Sequence, residues 1–219
     1  LSLVSFAIKH KQGVLHHNFV VALLNDLFGI QSRGGCSCAG PYGHRLLGIG
    51  EEDSHHFEDE IVQGHSGIKP GWVRINFNYF ISETVFQFLL DAVAFVAKHG
   101  WVFLPLYRFE SETGRWVIRG KTQSVLLSLD DLSYRSGELE YPRRSRHEDE
   151  SAFARYLEEA HAHRQAALQS YPQLRLDDPP MPPEFDELRW FPLPAEILAE
   201  CTEQEPPKAP HFKLHFRRR

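Results

Sequence analysis

The spacing of apolar residues in the first thirty positions predicts a strand followed by a helix. Residues 3–9 alternate between two faces, as successive side chains of a strand do. Over residues 14–28, apolar side chains recur every three or four positions, which predicts an amphipathic helix that ends at Gly29. We expect His16 and His17, near the start of this helix, to be solvated, because adjacent helical residues do not face one site.

A second strand and a longer helix follow. Residues 72–80 alternate strictly, so that Arg74 and Asn76 share one face and the apolar residues between them share the other. Ser82 precedes the apolar repeat of residues 83–99, which predicts a long helix with a serine N-cap. The strand face with Arg74 and Asn76 suits a small anionic ligand, and a plain solvent-exposed face is the alternative.

The pattern of apolar positions weakens beyond this helix. Residues 101–109 and 115–119 predict the two strands of a hairpin, with a glycine in the loop between them. Residues 150–169 predict an alanine-rich helix with charged faces. The proline-rich residues 177–183 predict an extended linker.

The chain therefore divides into two parts. Residues 1–105 have the pattern of a folded α/β domain. Residues 106–219 predict an extension of hairpin, charged helix and proline-rich tail that is partly disordered, because apolar residues are sparse there.

Composition excludes several classes of protein. With 219 residues, 42% of them hydrophobic, and a net charge of -5, the chain can bury a globular core and lacks the basic charge of a nucleic-acid binder. We expect no membrane span and no signal peptide, because neither pattern is present. Three cysteines form no disulfide framework, which favours a reducing compartment, so the cytoplasm is the expected location.

The start of the sequence is unusual. It opens on Leu1 rather than Met, and residues 1–8 already have the pattern of a strand. A natural domain rarely opens on a strand that needs partners on both sides. We therefore expect this sequence to be a fragment whose upstream half lies outside it.

The nine residues from Arg33 to Pro41 combine a guanidinium, two thiols and three glycines. The glycines let the backbone turn tightly or approach a ligand closely, and Pro41 fixes one φ angle. Arg33, predicted at the end of a short strand, can bind a carboxylate or phosphate through two parallel hydrogen bonds. A surface ion pair is the alternative for Arg33. We interpret this stretch as an active-site loop.

Cys36 and Cys38 have three explanations. They could be small buried hydrophobic residues. They could bind a metal together with nearby histidines, although structural zinc sites favour a wider cysteine spacing. A nucleophilic thiolate is better supported, because a guanidinium and free backbone N–H groups would stabilise it and glycine would leave it accessible. The histidines in question are His44, His55 and His56.

These residues resemble a motif of the class V aminotransferase and cysteine desulfurase family, whose members use pyridoxal 5'-phosphate. In group II cysteine desulfurases an Arg is followed five residues later by a Cys and then by Ala-x-Pro. Arg33, Cys38, Ala39 and Pro41 stand at those places. The run Arg-Thr-Gly-Cys-Phe-Cys of molybdenum cofactor sulfurases is also similar to residues 33–38.

The second landmark of the family is an Arg that opens a strand leading through Tyr-Asn-Thr into a long helix. Arg74 is similar to it, with Phe80-Ile81-Ser82 in the place of Tyr-Asn-Thr. An acidic stretch over residues 50–66 lengthens the gap between the two landmarks. The family's cofactor-binding lysine follows Ser-x-His, and no Ser-x-His-Lys occurs here, so that lysine would lie outside this sequence.

The resemblance implies the small domain of a fold type I transferase, an amino-acid substrate, pyridoxal phosphate as cofactor and a homodimer. It implies that Arg74 holds the substrate carboxylate with help from Arg33, and Asn76 on the same strand face completes the predicted substrate-binding set. Cys38 would accept sulfur if the substrate is cysteine, whereas in a transamination the loop would only shape the pocket. The alternative is an inactive, truncated domain that acts as a binding module or a metal site.

Overall fold

Short strands and helices alternate along the chain in the computed structural model, which describes residues 2–11, 13–36, 40–120, 131–141, 148–202 and 212–215. The connections between them include the 3-10 helices Ser66–Ile68, Gly100–Leu106 and Tyr171–Gln173. The strands are Leu3–Phe6 (β1), Lys9–His10 (β2), Gly13–Val14 (β3), Arg33–Gly35 (β4), Trp72–Asn76 (β5), Tyr107–Glu110 (β6) and Arg115–Ile118 (β7). The helices are His17–Phe28 (α1), Gly40–Leu47 (α2), Glu51–Val62 (α3), Glu83–His99 (α4), Ala152–Ser170 (α5), Pro183–Leu188 (α6) and Pro194–Cys201 (α7). The predicted mixture of helices and strands is confirmed.

A three-stranded antiparallel sheet, in the order β1-β5-β4, positions the candidate site. Val73 and Ile75 of β5 are buried in the core, whereas Trp72 and Arg74 are partly exposed and Asn76 is exposed. The predicted alternation is therefore confirmed for residues 72–76. The prediction that the strand continues to residue 80 is wrong, because the chain turns after Asn78, whose carbonyl accepts from the Ile81 N–H, and Tyr79 and Phe80 are exposed. Helix α1 packs against β4 and β5, and α4 packs against α1. We call the sheet face that carries Arg74 the outer face.

The two helices predicted in the first hundred residues are confirmed. Helix α4 begins after Ser82, whose side chain accepts a hydrogen bond from the Val85 N–H at 3.1 Å. Helix α1 ends at Gly29, which adopts a left-handed conformation with φ of 66°. The first helix starts at His17 rather than at residue 14, because residues 13–14 pair with β2 as strand β3.

The predicted hairpin is present, but its first strand is shorter than predicted. Residues 100–106 form a 3-10 helix that contains Pro105, whose missing N–H disfavours a strand. Strands β6 and β7 then pair Tyr107 with Ile118 and Glu110 with Arg115. Gly114 closes the turn with φ of 69°.

The helix predicted over residues 150–169 is confirmed as α5, whereas the prediction of partial disorder is wrong for residues 183–201, which contain α6 and α7. Phe185, Trp190 and Phe191 are almost fully buried and belong to the same hydrophobic core as α1 and β5. The Trp190 indole N–H donates to the Ile68 carbonyl at 2.9 Å. The core thus runs across the predicted boundary at residue 105. Other parts of the extension lie outside the described residues: 121–130, 142–147, 203–211 and 216–219.

A buried ion pair anchors this C-terminal segment. Arg189 is only 1% exposed, and its guanidinium donates to Glu196 at 2.6 Å and to Asp186 at 2.7 Å. Burial raises the pKa of Glu196, while its hydrogen bonds to Arg189 oppose that rise. A charge this deep in a core needs such partners, so the three side chains hold residues 186–196 in one arrangement.

Helix α4 and the 3-10 helix after it form one long apolar segment. The segment Glu83–Leu106 is long and apolar enough to cross a membrane by length and composition, and it is the one such segment among the described residues. However, 44% of its most apolar window is buried against the rest of the protein. Phe88, Phe95 and Val96 lie in the hydrophobic core. We therefore assign it as a core helix.

Candidate functional site

Two arginines stand directly opposite each other on the outer face. The antiparallel register of β4 and β5 pairs Arg33 with Arg74. Side chains at such paired positions have Cβ atoms about 4.5 to 5.5 Å apart, and like charges placed there repel each other. No described carboxylate forms an ion pair with either guanidinium. The two positively charged side chains therefore repel each other, and a bound anion would reduce this repulsion.

Trp72 lies beside the arginines, and the residue paired with it, Gly35, borders open space. Trp72 is two residues before Arg74 on the outer face and pairs with Gly35 of β4. Its indole N–H is buried and has no hydrogen-bond partner in the described part of the chain. Gly35 has φ of 109°, and a Cβ built there would meet no atom within 4 Å. The backbone at Gly35 thus keeps side-chain atoms out of the space opposite the indole ring.

The other end of the Trp72 ring packs against helix α2. A Cβ added to Gly43 would lie 3.4 Å from Cη2 of Trp72 and 3.7 Å from Cβ of Cys36. Cys36 is therefore close to this ring and is not in a disulfide. Cys38, the predicted nucleophile, lies outside the described residues. Helix α2 and the end of β4 together form the wall of the site nearest to the thiol of Cys36.

The structure brings the three predicted substrate-binding residues onto one face. Arg33 and Arg74 are paired across strands, and Asn76 follows Arg74 on the same side of β5. Asn76 pairs with Leu3 of the edge strand β1 and is solvent-exposed. Their roles in binding stay predictions. Trp72 was not predicted to be a site residue, because an unpaired indole N–H is visible only in three dimensions.

His16 and His17 are buried beneath the sheet, so the prediction that they are solvated is wrong. His16 is the N-cap of α1, with φ of -55° and ψ of 130°, and it lies before the first helical residue. The two side chains therefore do not follow helical spacing and can both point inward. His16 Nε2 donates to the Gly67 carbonyl at 3.0 Å, while Nδ1 accepts from the Asn18 N–H at 3.1 Å.

On the buried side of the sheet, His17 and Asn18 lie directly against the backbone next to the arginines. A Cβ on Gly34 would lie 2.6 Å from Asn18 Oδ1 and 2.9 Å from His17 Nδ1. A Cβ on Gly71 would lie 2.7 Å from Cδ2 of His17. These two glycines are the chain neighbours of Arg33 and Trp72 respectively. The position of the outer face therefore depends on close contact between glycine backbone and this His-Asn pair.

Trp190, which belongs to the C-terminal segment, packs against the two buried histidines. Its ring stacks on His16 at a centroid distance of 5.2 Å and on His17 at 5.8 Å. Through its indole N–H it also holds the Ile68 carbonyl, in the segment that leads to β5. Trp190 is 1% exposed, so removing it would leave a large cavity beneath the site.

Comparison of the chain with models of protein families, with curated proteins and with solved structures gives no match. The residues of the outer face are therefore the basis for any functional proposal.

The described residues contain no cluster of three or more His, Cys, Asp or Glu side chains that could hold a metal. His44 Nδ1 instead forms a hydrogen bond with Ser54 Oγ at 2.7 Å. His55 lies 3.8 Å from Glu58 on the exposed side of α3, and His56 is also exposed. The described part of the chain thus supplies no ligand set for the metal alternative.

The donors of the outer face match a small anion. Two guanidiniums can each offer parallel N–H groups to a carboxylate or phosphate. Arg74 is partly buried, which strengthens its interaction with a bound charge relative to a fully solvated arginine. The arrangement can therefore bind and orient an anionic group.

Proposed function

We propose that this chain is the small-domain part of a pyridoxal phosphate-dependent enzyme of the class V aminotransferase and cysteine desulfurase family. The observation that carries the proposal is the pairing of Arg33 with Arg74 on one sheet face. Both arginines belong to the sequence motifs that resemble the family. A fold type I small domain, an amino-acid substrate, a homodimer and a cytoplasmic location are parts of the same proposal.

The residues of the outer face fit the substrate's carboxylate rather than the cofactor itself. Their donors are two guanidiniums and the amide of Asn76, which suit a planar pair of oxygens. Strands β1, β4 and β5 contain no lysine. In this proposal the lysine that holds pyridoxal phosphate lies outside the sequence, and the bound cofactor supplies an electron sink.

Each residue of the outer face has a distinct task in this proposal. Arg74 binds the carboxylate through two hydrogen bonds and fixes the orientation of the amino acid. Arg33, more exposed than Arg74, adds positive charge and attracts the substrate. Trp72 limits the access of water at the wall formed with α2. Asn76 offers an amide at the edge of the site.

Replacing Cys38 by alanine separates the two reactions that the resemblance allows. If the enzyme releases sulfur from cysteine, Cys38 is the nucleophile that accepts it, and desulfuration in the Cys38→Ala enzyme should fall by about 1,000-fold or more. If the enzyme transfers an amino group, that activity should survive the substitution. Sulfide release from L-cysteine and keto-acid formation from amino acids, measured on cofactor-loaded protein, distinguish the reactions.

Cys201→Ala is the matched control for this experiment. Cys201 lies at the end of α7, and burial raises the pKa of its thiol, which disfavours a reactive thiolate there. Its replacement should leave either activity unchanged. Equal desulfuration by the Cys38→Ala and parent enzymes would remove Cys38 from the mechanism.

A further inference from the structure

The hydrogen bonds of His17 require more protons than a neutral imidazole carries. Nδ1 of His17 lies 2.8 Å from Asn18 Oδ1, and Nε2 lies 3.1 Å from the Lys69 carbonyl oxygen. The Asn18 amide nitrogen donates to the Gly114 carbonyl at 2.8 Å, which turns its oxygen toward His17. Both ring nitrogens therefore face an acceptor.

A neutral ring has one N–H and can satisfy only one of these acceptors. The other contact would then place two lone pairs against each other. Rotating the Asn18 amide only moves the conflict to the Gly114 carbonyl. A protonated His17 satisfies all three contacts. His16 is different, because it faces one acceptor at Nε2 and one donor at Nδ1, which a neutral ring matches.

Burial opposes protonation of His17. The side chain is 5% exposed, and burial lowers its pKa below 6.5, while its hydrogen bonds to Lys69 and Asn18 act in the opposite direction. Burial also lowers the pKa of His16 beside it. No described carboxylate forms a hydrogen bond or ion pair with His17.

The surrounding elements carry charged groups of both signs. The hairpin whose Gly114 carbonyl binds Asn18 contains Glu110, Glu112 and Arg115, and His65 pairs with Glu60 before the 3-10 helix. Lys69 follows the 3-10 helix that contacts His17, and Arg33 and Arg74 belong to the strands above it. Arg189, next to Trp190, is already neutralised by ion pairs with its carboxylate partners. Among the described residues neither Lys69 nor the arginine pair takes part in an ion pair, and of these cations the two arginines lie on the face proposed to bind an anion.

We propose that His17 is a proton-linked positioning residue, which takes up a proton when an anion neutralises the Arg33–Arg74 pair and thereby tightens that anion site. The link is structural, because Gly34 and Gly71 rest directly on His17 and are adjacent in the chain to Arg33 and Trp72. This inference rests on the anion site of the proposed function and adds its regulation by pH.

The coupling must act in both directions. If a bound anion raises the pKa of His17, protonation of His17 must strengthen anion binding by the same factor. Because the pKa of His17 without the anion lies below 6.5, the effect belongs to the mildly acidic range. Affinity for the anion should increase as the pH falls from 7.5 to 5.5 by about three- to tenfold, the factor that matches a rise of roughly half a unit to one unit in the pKa of His17 on anion binding.

Sulfate is a suitable probe because it keeps both charges across this pH range. The full chain, labelled with ¹³C at histidine Cε1 and with ¹⁵N, is titrated from pH 8 to pH 5 in sodium sulfate or in sodium chloride of equal ionic strength. The His17 signal is identified by its loss in His17→Gln. The Trp72 indole N–H signal reports whether sulfate occupies the site.

We expect sulfate to raise the His17 titration midpoint by about half a unit or more, and we expect His16 to stay neutral. Arg74→Gln should abolish the sulfate effect, whereas the matched variant Arg108→Gln, a strand arginine on β6 outside the site, should keep it. Arg74 lies on the outer face, so its replacement tests the coupling even if His17→Gln does not fold.

Two results would overturn the proposal in different ways. If sulfate shifts the Trp72 indole signal but leaves the His17 midpoint unchanged, the coupling is wrong and the anion site stands. If sulfate shifts neither signal, the anion site itself is wrong. The pairing of Arg33 with Arg74 then no longer supports the proposed function.

Discussion

Replacing Arg74 by glutamine should raise the KM for the amino-acid substrate by about 10- to 150-fold in the cofactor-loaded enzyme. The reason is the loss of a charge-assisted, two-point hydrogen bond to the carboxylate, which contributes roughly 1.5 to 3 kcal/mol. Arg74 is partly buried on β5, directly opposite Arg33, so its replacement leaves one guanidinium where there were two. Steady-state kinetics over a series of substrate concentrations measure the change.

Arg108→Gln is the control for Arg74→Gln. Arg108 also lies on a strand, is exposed, and is 3.8 Å from Glu110 in a surface ion pair. Its replacement should change the KM by less than about twofold, because exposed ion pairs contribute little. An unchanged KM in Arg74→Gln would exclude Arg74 from substrate binding. The arginine pair would then be two surface residues without a role in the reaction.

Replacing Trp190 by alanine should lower the free energy of unfolding by about 3 to 5 kcal/mol. The ring is 1% exposed, stacks on both buried histidines, and donates its N–H to Ile68. The substitution removes those contacts, leaves a cavity, and leaves the Ile68 carbonyl without this donor. Urea denaturation followed by circular dichroism gives the difference in the free energy of unfolding.

Tyr79→Ala provides the comparison for Trp190→Ala. Tyr79 is an aromatic residue of similar size that is 97% exposed, so its loss should change the free energy of unfolding by less than about 0.5 kcal/mol. If Trp190→Ala has an equally small effect, residues 152–201 do not share a core with the sheet. A large effect means that the C-terminal segment is part of the domain that holds the arginine pair.

The sequence predicted the elements whose pattern is local. The alternation predicted over residues 72–80 identified both faces of β5 for residues 72–76, since a strand with one buried face must alternate. Ser82 identified the start of α4 because a serine that accepts the first free N–H of a helix is a local signal. Neither prediction needed information about distant residues.

The arrangement of the site was only partly predictable. Arg33 and Arg74 were each named from their motifs, but their direct pairing follows from the strand order β1-β5-β4, which no local pattern specifies. The missing partner of the Trp72 indole N–H is likewise a property of packing. The sequence therefore predicted the residues of the site better than their geometry.

The buried histidines and the C-terminal segment were mispredicted for related reasons. His16 was assigned to the helix, whereas it is the N-cap, so the rule of helical spacing did not apply to it. In residues 152–201 the core contacts come from a few large side chains among many charged ones. Average hydrophobicity is low in such a segment, although Trp190 and Phe191 bury as much area as several aliphatic residues.

The most direct test of the proposed function is whether the protein carries pyridoxal phosphate. The longest reading frame that contains this sequence would be expressed and reduced with borohydride, and its peptides would be searched by mass spectrometry for a pyridoxyl-lysine adduct. If the proposed function is right, we expect one adduct, on a lysine outside these 219 residues. A protein that forms no adduct would contradict it, and the outer face would then be an anion-binding surface without this chemistry.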